Sequence, residues 1–270
     1  MSVSRHLTSN DPKVSVRIVT THFNPGGHSL LKETYENWLP SMGELAKYIR
    51  TYEIGFDGVW DIDDAIKIPG SDKHLMWQKE ALLNKGLRET PDETEYFVWV
   101  DHDVIFKDPD WLAKAIDILQ TKEVDAVHCL DHATMLDPDG YIMKDRHWTP
   151  GYAWCSTTAY MKKRNGFSHY AIAGGGDALF VQDYMTRVYQ PMINFVSMPK
   201  PRWTHLDSGV YHLYHGSLRN RNYFGRQKIL SRHNYQPNDI ILNQDGILEW
   251  ATDKTEMHEE LKSFFAQRGG

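Results

Sequence analysis

Midway along the chain stands YFVWV (96–100), five consecutive apolar residues bounded by polar ones and followed at once by DHD (101–103). An unalternating run of strand length fits a strand covered on both faces, and such strands belong to sheets flanked by helices. The segments before it alternate as that architecture requires. VSVRIVTTHF (14–23) is β-rich and ends in the turn signal NPGG. HSLLKETYENWLPSM carries Leu30, Leu31, Tyr35, Trp38 and Leu39 at helical spacing, and YIRTYEIG is a second strand candidate. HLMWQKEALLNKGLRE reads as a helix, Pro109 after Asp108 opens another (DWLAKAIDILQTKE), and VDAVHCL is a further strand. Strands and helices thus alternate over the first 130 residues, which predicts an α/β fold with a mostly parallel sheet.

After residue 130 the pattern loosens. DPDG (137–140) predicts a hairpin turn, GYAWCSTTAYM is β-like, and AIAGGGDALFV places three glycines before an acid. DYMTRVYQPM is helical up to Pro191, RNRNYFGRQKILSR is an amphipathic basic helix candidate, and TEMHEELKSFFAQR is a terminal helix. No linker divides the chain, so residues 1–270 are expected to form one domain. One half would cover about 14–130 and the other the rest, including a smaller antiparallel portion.

Composition narrows the function classes. Cys129 and Cys155 are the only cysteines, which excludes a disulfide scaffold and predicts reduced, buried thiols and a cytoplasmic setting. The 33 aromatic residues (nine Trp, 14 Tyr, ten Phe) exclude a disordered chain. No apolar run approaches membrane-spanning length, and the N-terminal segment has no signal-peptide core. The net charge of −6 hides an asymmetry: residues 1–145 carry 15 Lys/Arg against 26 Asp/Glu, and residues 146–270 carry 15 against 10. Seven cations and the single acid Asp207 fall within 200–232. An acidic half joined to a basic segment suggests an anionic ligand with a cation between them.

The DHD motif is where such a cation would sit. Ligands of open α/β sheets bind beyond the carboxyl ends of the strands, and Asp101 and Asp103 follow such an end. Residues two apart in extended chain point the same way, and two carboxylates so placed repel unless neutralised. Mn²⁺ or Mg²⁺ would neutralise them. A solvated acidic turn is the bland alternative.

In chain order, RIVTTHFNP, WQKEALLN, DHD, GGGDALF and HLYHG resemble the motifs of GT-A-fold, nucleotide-sugar-dependent glycosyltransferases, over roughly residues 14–233. The resemblance implies a GT-A (Rossmann-like) fold and transfer of a sugar from a nucleotide-diphosphate donor, with UDP the expected nucleotide. It makes residues 14–130 the donor half and 131–270 the acceptor half, and implies that Thr20, Thr21, Phe23 and Asn24 hold base and ribose, with Lys79 and His102 on the same donor side. Asp101 would contact ribose or the metal's water, and Asp103 the metal. A late histidine completes the metal set, His212 or His215; Gly216 favours His215, because glycine permits close backbone approach to phosphate. Asp177 would be the general base toward the acceptor hydroxyl, beside Gly174, Gly175 and Gly176. An alternative for Asp177 is a helix N-cap. Retaining members carry a similar motif, so the anomeric outcome stays open. Trp154, with Trp148 and Tyr152, could stack on a sugar or lie in the core.

The basic segment admits two readings. Arg219, Arg221 and Arg226 could clamp the donor diphosphate. Alternatively, cations interleaved with Tyr223, Phe224 and Tyr235 could form a nucleic-acid surface. The segment resembles the tail of phage and bacterial glycosyltransferases, some of which modify hydroxymethylated pyrimidines in DNA. Competing classes are a glycan-directed transferase, a nucleotidyl- or phosphoryltransferase, and a non-catalytic nucleotide-sugar-binding module. No G-x-x-x-x-G-K-[ST] loop is present.

Overall fold

The apolar run is strand β4 (Tyr96–Val100), and every residue of it is buried. Its side chains alternate between two cores: Val98 and Val100 pack into one, Phe97 and Trp99 into the other. The computed structural model describes residues 15–147, 149–182, 192, 194–222 and 225–268. Beside β4 lie β1 (Val16–Phe23), β2 (Ile49–Gly55) and β3 (Ile66–Pro69), all parallel to it. On the other side β9 (Ala153–Thr157) runs antiparallel, followed by β6 (Ala126–His128) and β10 (Trp203–His205). The sheet order is β10-β6-β9-β4-β1-β2-β3, with six strands in one direction and β9 opposed. The expected mostly parallel α/β sheet is therefore present.

Helix α1 (Ser29–Ser41) and α3 (Trp111–Thr121) cover the Val98 face, with Trp38, Trp111, Leu112 and Ile116 buried against Ile18 and Val127. Helix α2 (Lys79–Arg88) covers the Trp99 face through Leu82, Leu83 and Leu87. The TTAYM stretch, grouped above with a β-like segment, is instead helix α4 (Thr158–Arg164), started by Thr157, whose hydroxyl accepts from Tyr160 N–H at 3.2 Å. Helix α5 (Gly176–Val181) follows the glycines.

A second sheet, in the order β5-β11-β7-β8, contains β5 (Val104–Phe106), β7 (His132–Leu136), β8 (Ile142–His147) and β11 (Gly209–His212). The DPDG turn joins β7 to β8, as expected, with Asp137 N–H bonded to Tyr141 O at 2.9 Å. This sheet is mixed: β5/β11 and β7/β8 are antiparallel, β11/β7 parallel. A third core joins β12 (Ile240–Leu242), β13 (Leu248–Trp250), α6 (Gly225–Arg232) and α7 (Thr255–Gln267). The basic segment is thus not one helix: a separate four-residue helix at Leu218–Arg221 precedes α6. The DYMTRVYQPM expectation falls, but for Met192, outside the described residues. Among those, no helix is long and apolar enough to cross a membrane.

Candidate active site and metal centre

The sheet order reverses at β1, which neighbours β2 on one side and β4 on the other. Open α/β sheets have their ligand crevice at such a point. Here it opens into a cleft of about 440 Å³, walled by Thr21, His22 and Phe23 from the end of β1, by Asp101, His102 and Asp103, and by Asp177, His212 and His215.

Strand pairing assembles the metal-like cluster. β5 leaves the DHD turn and pairs with β11, setting His212 opposite Val104, and Leu213 N–H donates to Asp103 O at 2.8 Å. His215 returns three residues later, before Gly216 at φ 109°. His215 Nε2 lies 2.8 Å and His212 Nε2 3.5 Å from Asp103 Oδ2. The three ligand atoms fall within 4.8 Å of one another, and Asp103 Oδ1 is buried with no hydrogen-bond partner. Burial alone would raise the Asp103 carboxyl, but His212 and His215 outweigh it and hold it well below the usual carboxylate range. Burial pushes His215 down to about 4. At neutral pH the group thus presents an ionised carboxylate and a neutral imidazole, the states a cation requires. These residues fit a divalent metal ion, and both histidines join the set.

Asp101 does not belong to it. The chain turns at residues 102–103 rather than staying extended, so the two carboxylates diverge. Asp101 Oδ1 lies 2.5 Å from Lys79 Nζ, and Lys79 also donates to Asp177 at 3.0 and 3.2 Å. Burial, with Asp177 and Asp103 nearby, pushes the Asp101 carboxyl up to about 6 even against Lys79. Burial opposes the charge on Lys79, but Asp101 and Asp177 hold its pKa above the ordinary value.

The motif around Lys79 owes its spacing to backbone clamps. The Gln78 amide donates to Leu248 O and accepts from Leu248 N–H, both at 2.8 Å. Asn84 does the same to Phe167, at 2.8 and 2.7 Å. Between the clamps, Lys79 reaches the cleft and Glu80 turns beneath the glycines. A Cβ on Gly176 would lie 2.0 Å from Glu80 Oε1. Gly176 is therefore required by Glu80 behind it, a correction to its expected role at a sugar face. Burial, then Asp177, pushes Glu80 up to about 8. Gly175 keeps a place on the cleft wall, at φ 103°.

Opposite Asp177 runs Pro150–Gly151–Tyr152. A Cβ on Gly151 would be 3.6 Å from Asp177 Oδ2 and 4.0 Å from Asp101 Oδ2, so this loop lies against both carboxylates. Tyr152 has φ 81°, a strained value for a bulky residue. It is held by Asp101: Asp101 N–H donates to Tyr152 O at 2.7 Å, and Tyr152 N–H donates to Asp101 Oδ2 at 3.2 Å. Trp154, expected on the acceptor face, is buried in the core, stacked on Trp99 with centroids 6.1 Å apart. Its Nε1–H donates to Pro150 O at 2.8 Å, so it braces the loop from behind.

Other expected site residues separate likewise. Thr21 and Phe23 line the cleft, whereas Thr20 is buried beneath it. Asn24 Nδ2 donates to Asp61 Oδ2 at 2.7 Å and ties down its own loop through His28. Arg226 reaches the cleft, packs against Gly174 and lies 5.6 Å over the Trp77 ring. Arg221 is buried near His215 rather than on the cleft wall. The side chain of Arg219, and Trp148, Tyr223 and Phe224, lie outside the described residues. Tyr235 is buried in the third core, not interleaved on a surface. The cations of 200–232 also disperse: Arg202 pairs with Asp125 at the opposite ends of the strands, and Arg232 with Glu260. They do not form one basic face among the described residues.

Among the wall and support residues not anticipated from the sequence are His22, Asp61, Glu80 and Arg268. His22 and Asp61 had a signal, since polar residues at and just beyond strand C-termini face the crevice. Glu80, one of several charged residues in a helix that also carries Lys79, Lys85 and Arg88, had none. Arg268 lies 4.4 Å over Trp77, beside Arg226.

No family model matches the chain, and no curated protein matches it in sequence. Solved structures similar to it include the catalytic domain of Drosophila β1,4-galactosyltransferase 7 complexed with xylobiose, at 12% identity over 90% of this chain and 98% of that one, TM-score 0.49. A mannosyltransferase from Pyrobaculum calidifontis, in complex with GDP-Man and Mn²⁺, aligns at 13% identity over 83% and 64%, TM-score 0.47. Glucosyl-3-phosphoglycerate synthase from Mycobacterium tuberculosis, with Mn²⁺, UDP and phosphoglyceric acid, aligns at 13% over 84% and 81%, TM-score 0.45.

Proposed function

We propose that the protein is a metal-dependent glycosyltransferase that moves a sugar from a nucleotide-diphosphate donor to an acceptor hydroxyl. The observation that carries this reading is the presence of two separate carboxylate centres in one cleft at the sheet's switch point. One is Asp103 with His212 and His215; the other is Asp177 with Lys79 and Asp101. A donor needs its leaving diphosphate neutralised, and an acceptor needs a base; one centre suits each task.

Asp103, His212 and His215 would hold the ion, and their mixed oxygen and nitrogen set favours Mn²⁺ over Mg²⁺. When bound, the ion supplies positive charge toward the departing diphosphate. Thr21 and Phe23 wall the nucleoside side, and Arg226 adds a guanidinium suited to phosphate. Asp177 accepts the proton of the acceptor hydroxyl as its oxygen bonds to the anomeric carbon and the carbon–diphosphate bond breaks. Lys79 holds the Asp177 carboxylate in position, and the Gly151 loop shapes the acceptor side. UDP remains the expected nucleotide. A hydroxymethylated DNA base is the less supported acceptor, because the expected basic surface disperses; a sugar hydroxyl is preferred.

The test is mass spectrometry of products after incubation with Mn²⁺, UDP- and GDP-sugars, and glycan or hydroxymethylcytosine-DNA acceptors. Transfer or donor hydrolysis that disappears in Asp103→Asn is the expected result. No turnover and no thermal shift with any donor would overturn the reading. Nucleotide binding with Asp177→Asn as active as the native protein would leave a binding module or a different base.

A further inference from the structure

His22 and His102 belong to a chain of contacts that crosses three strand ends. His22, at the end of β1, places Nε2 2.8 Å from Asp61 Oδ2, in the loop after β2. Its Nδ1 lies 3.3 Å from His102 Nε2, in the turn after β4. Since β2, β1 and β4 are neighbours, the chain Asp61–His22–His102 spans the crevice floor and ends one residue from Asp103. Asp61 is fixed in turn: Asn24 Nδ2 donates to the same Oδ2 at 2.7 Å, and Glu53 accepts the backbone N–H groups of Asp61 and Ile62 at 2.6 and 3.2 Å. Although His22, Glu53 and Asp61 are close enough to suggest a second metal site, both Glu53 oxygens are engaged by backbone donors, so this group reads as a brace.

The brace fixes tautomers. His22 is 1% exposed, and the Asp61 carboxylate, held below its ordinary pKa chiefly by His22, selects the Nε2–H form. His22 Nδ1 must then accept, and His102 must present Nε2–H. The 3.3 Å joint is the longest of the chain, at the weak end of hydrogen bonding, and so the one a ligand can tighten. Both rings also line the cleft beside Thr21, Phe23, Leu31 and Thr34.

We propose that His22 and His102 are positioning residues that couple occupancy of the nucleoside side of the cleft to the metal-holding turn. This rests on the nucleotide-donor reading. A base or ribose seated against Thr21 and Phe23, the cleft-lining neighbours of His22 at the end of β1, shortens the His22–His102 contact and steadies the turn carrying Asp103. Coupling of this kind is reciprocal, so the metal also tightens the nucleoside.

A nucleoside without phosphate separates this effect from the direct link of diphosphate to metal. Mn²⁺ affinity is measured by electron paramagnetic resonance of the free ion, with and without saturating uridine, then guanosine. The nucleoside that raises the melting temperature is expected to tighten Mn²⁺ by about fivefold. In His102→Leu and His22→Phe, each checked for a native-like melt, Mn²⁺ and the nucleoside still bind but the factor falls to one. Native protein that binds both without linkage, or variants that retain it, overturns the coupling and leaves the donor reading intact. Failure of the native protein to bind Mn²⁺ or any nucleoside removes both.

Discussion

Asp101 and Asp103 leave the same strand end two residues apart, and the fold treats them in opposite ways. Asp103 turns toward two imidazoles and is held well below the usual carboxylate range. Asp101 turns toward Lys79 and Asp177 and is pushed up to about 6. A motif that looks like one paired ligand is thus a divider between a carboxylate–imidazole centre whose residues fit a cation and a carboxylate centre neutralised by a buried lysine. The lesson is that spacing in sequence sets which residues share a turn, while the partner strand decides what each side chain meets. Here β11 brings histidines to one and α2 brings Lys79 to the other.

The two aspartates should differ most in metal affinity. Asp103→Asn should lower Mn²⁺ affinity by more than about 100-fold, since even outer-sphere partners of metal ligands contribute 10–100-fold; calorimetric titration with Mn²⁺ reads this out. Asp101→Asn, by contrast, should leave Mn²⁺ binding within a few-fold. Next in size, Asp177→Asn should reduce kcat by roughly 10²–10⁴ with nucleotide affinity unchanged, checked by steady-state kinetics and by titration with UDP.

Lys79→Met sharpens the other side. It leaves Asp101 and Asp177 facing each other without their cation and should cost about 3–5 kcal/mol in urea melts at pH 8. The loss should shrink at pH 5, because proton uptake by Asp101 relieves the repulsion. Glu80 gives a related pH signature. Its folded pKa is raised, to about 8, so the folded state holds a proton that the unfolded state has released between about pH 4.5 and 8. The stability this contributes is fully present at the acid end and is lost as pH rises through 8. Melting temperature should therefore fall less steeply with pH in Glu80→Gln than in the native protein. Smallest of the set, Gly176→Ala should cost about 1–3 kcal/mol by overpacking against Glu80, and Glu80→Ala should rescue it; thermal melts of the double variant decide.

Much of the donor half was legible because its signals are local. The buried run of β4, the helical spacing of Leu82, Leu83 and Leu87, and the turns at NPGG and DPDG each declare themselves within a few residues. The parallel pairing of β1 with β2 and β4 agrees with that alternation, whereas the edge strand β3, from IKIP, had not been anticipated. What was not legible depends on distant partners. Nothing near Trp154 says that its ring stacks on Trp99 and its N–H braces Pro150, so a cleft-lining aromatic and a core one look alike. Glycines before Asp177 invite an explanation by ligand approach, yet Gly176 answers to a carboxyl 96 positions away in sequence. His212 and His215 could not be separated by spacing, because both flank Asp103 once β11 pairs with β5. The basic stretch misled for the opposite reason. Charge clustered in sequence is dispersed in space when a strand, a short helix and a longer one carry it in different directions: Arg202 pairs with Asp125 ahead of β6 and β10, and Arg232 with Glu260 of α7.

The division of the two carboxylates is tested most directly by anomalous scattering at the manganese edge from crystals grown with Mn²⁺ and UDP. One peak is predicted, within bonding distance of Asp103, His212 and His215, with Lys79 Nζ still between Asp101 and Asp177. A manganese peak bridging Asp101 and Asp177, or one held by Asp101 and Asp103 without the histidines, would contradict it.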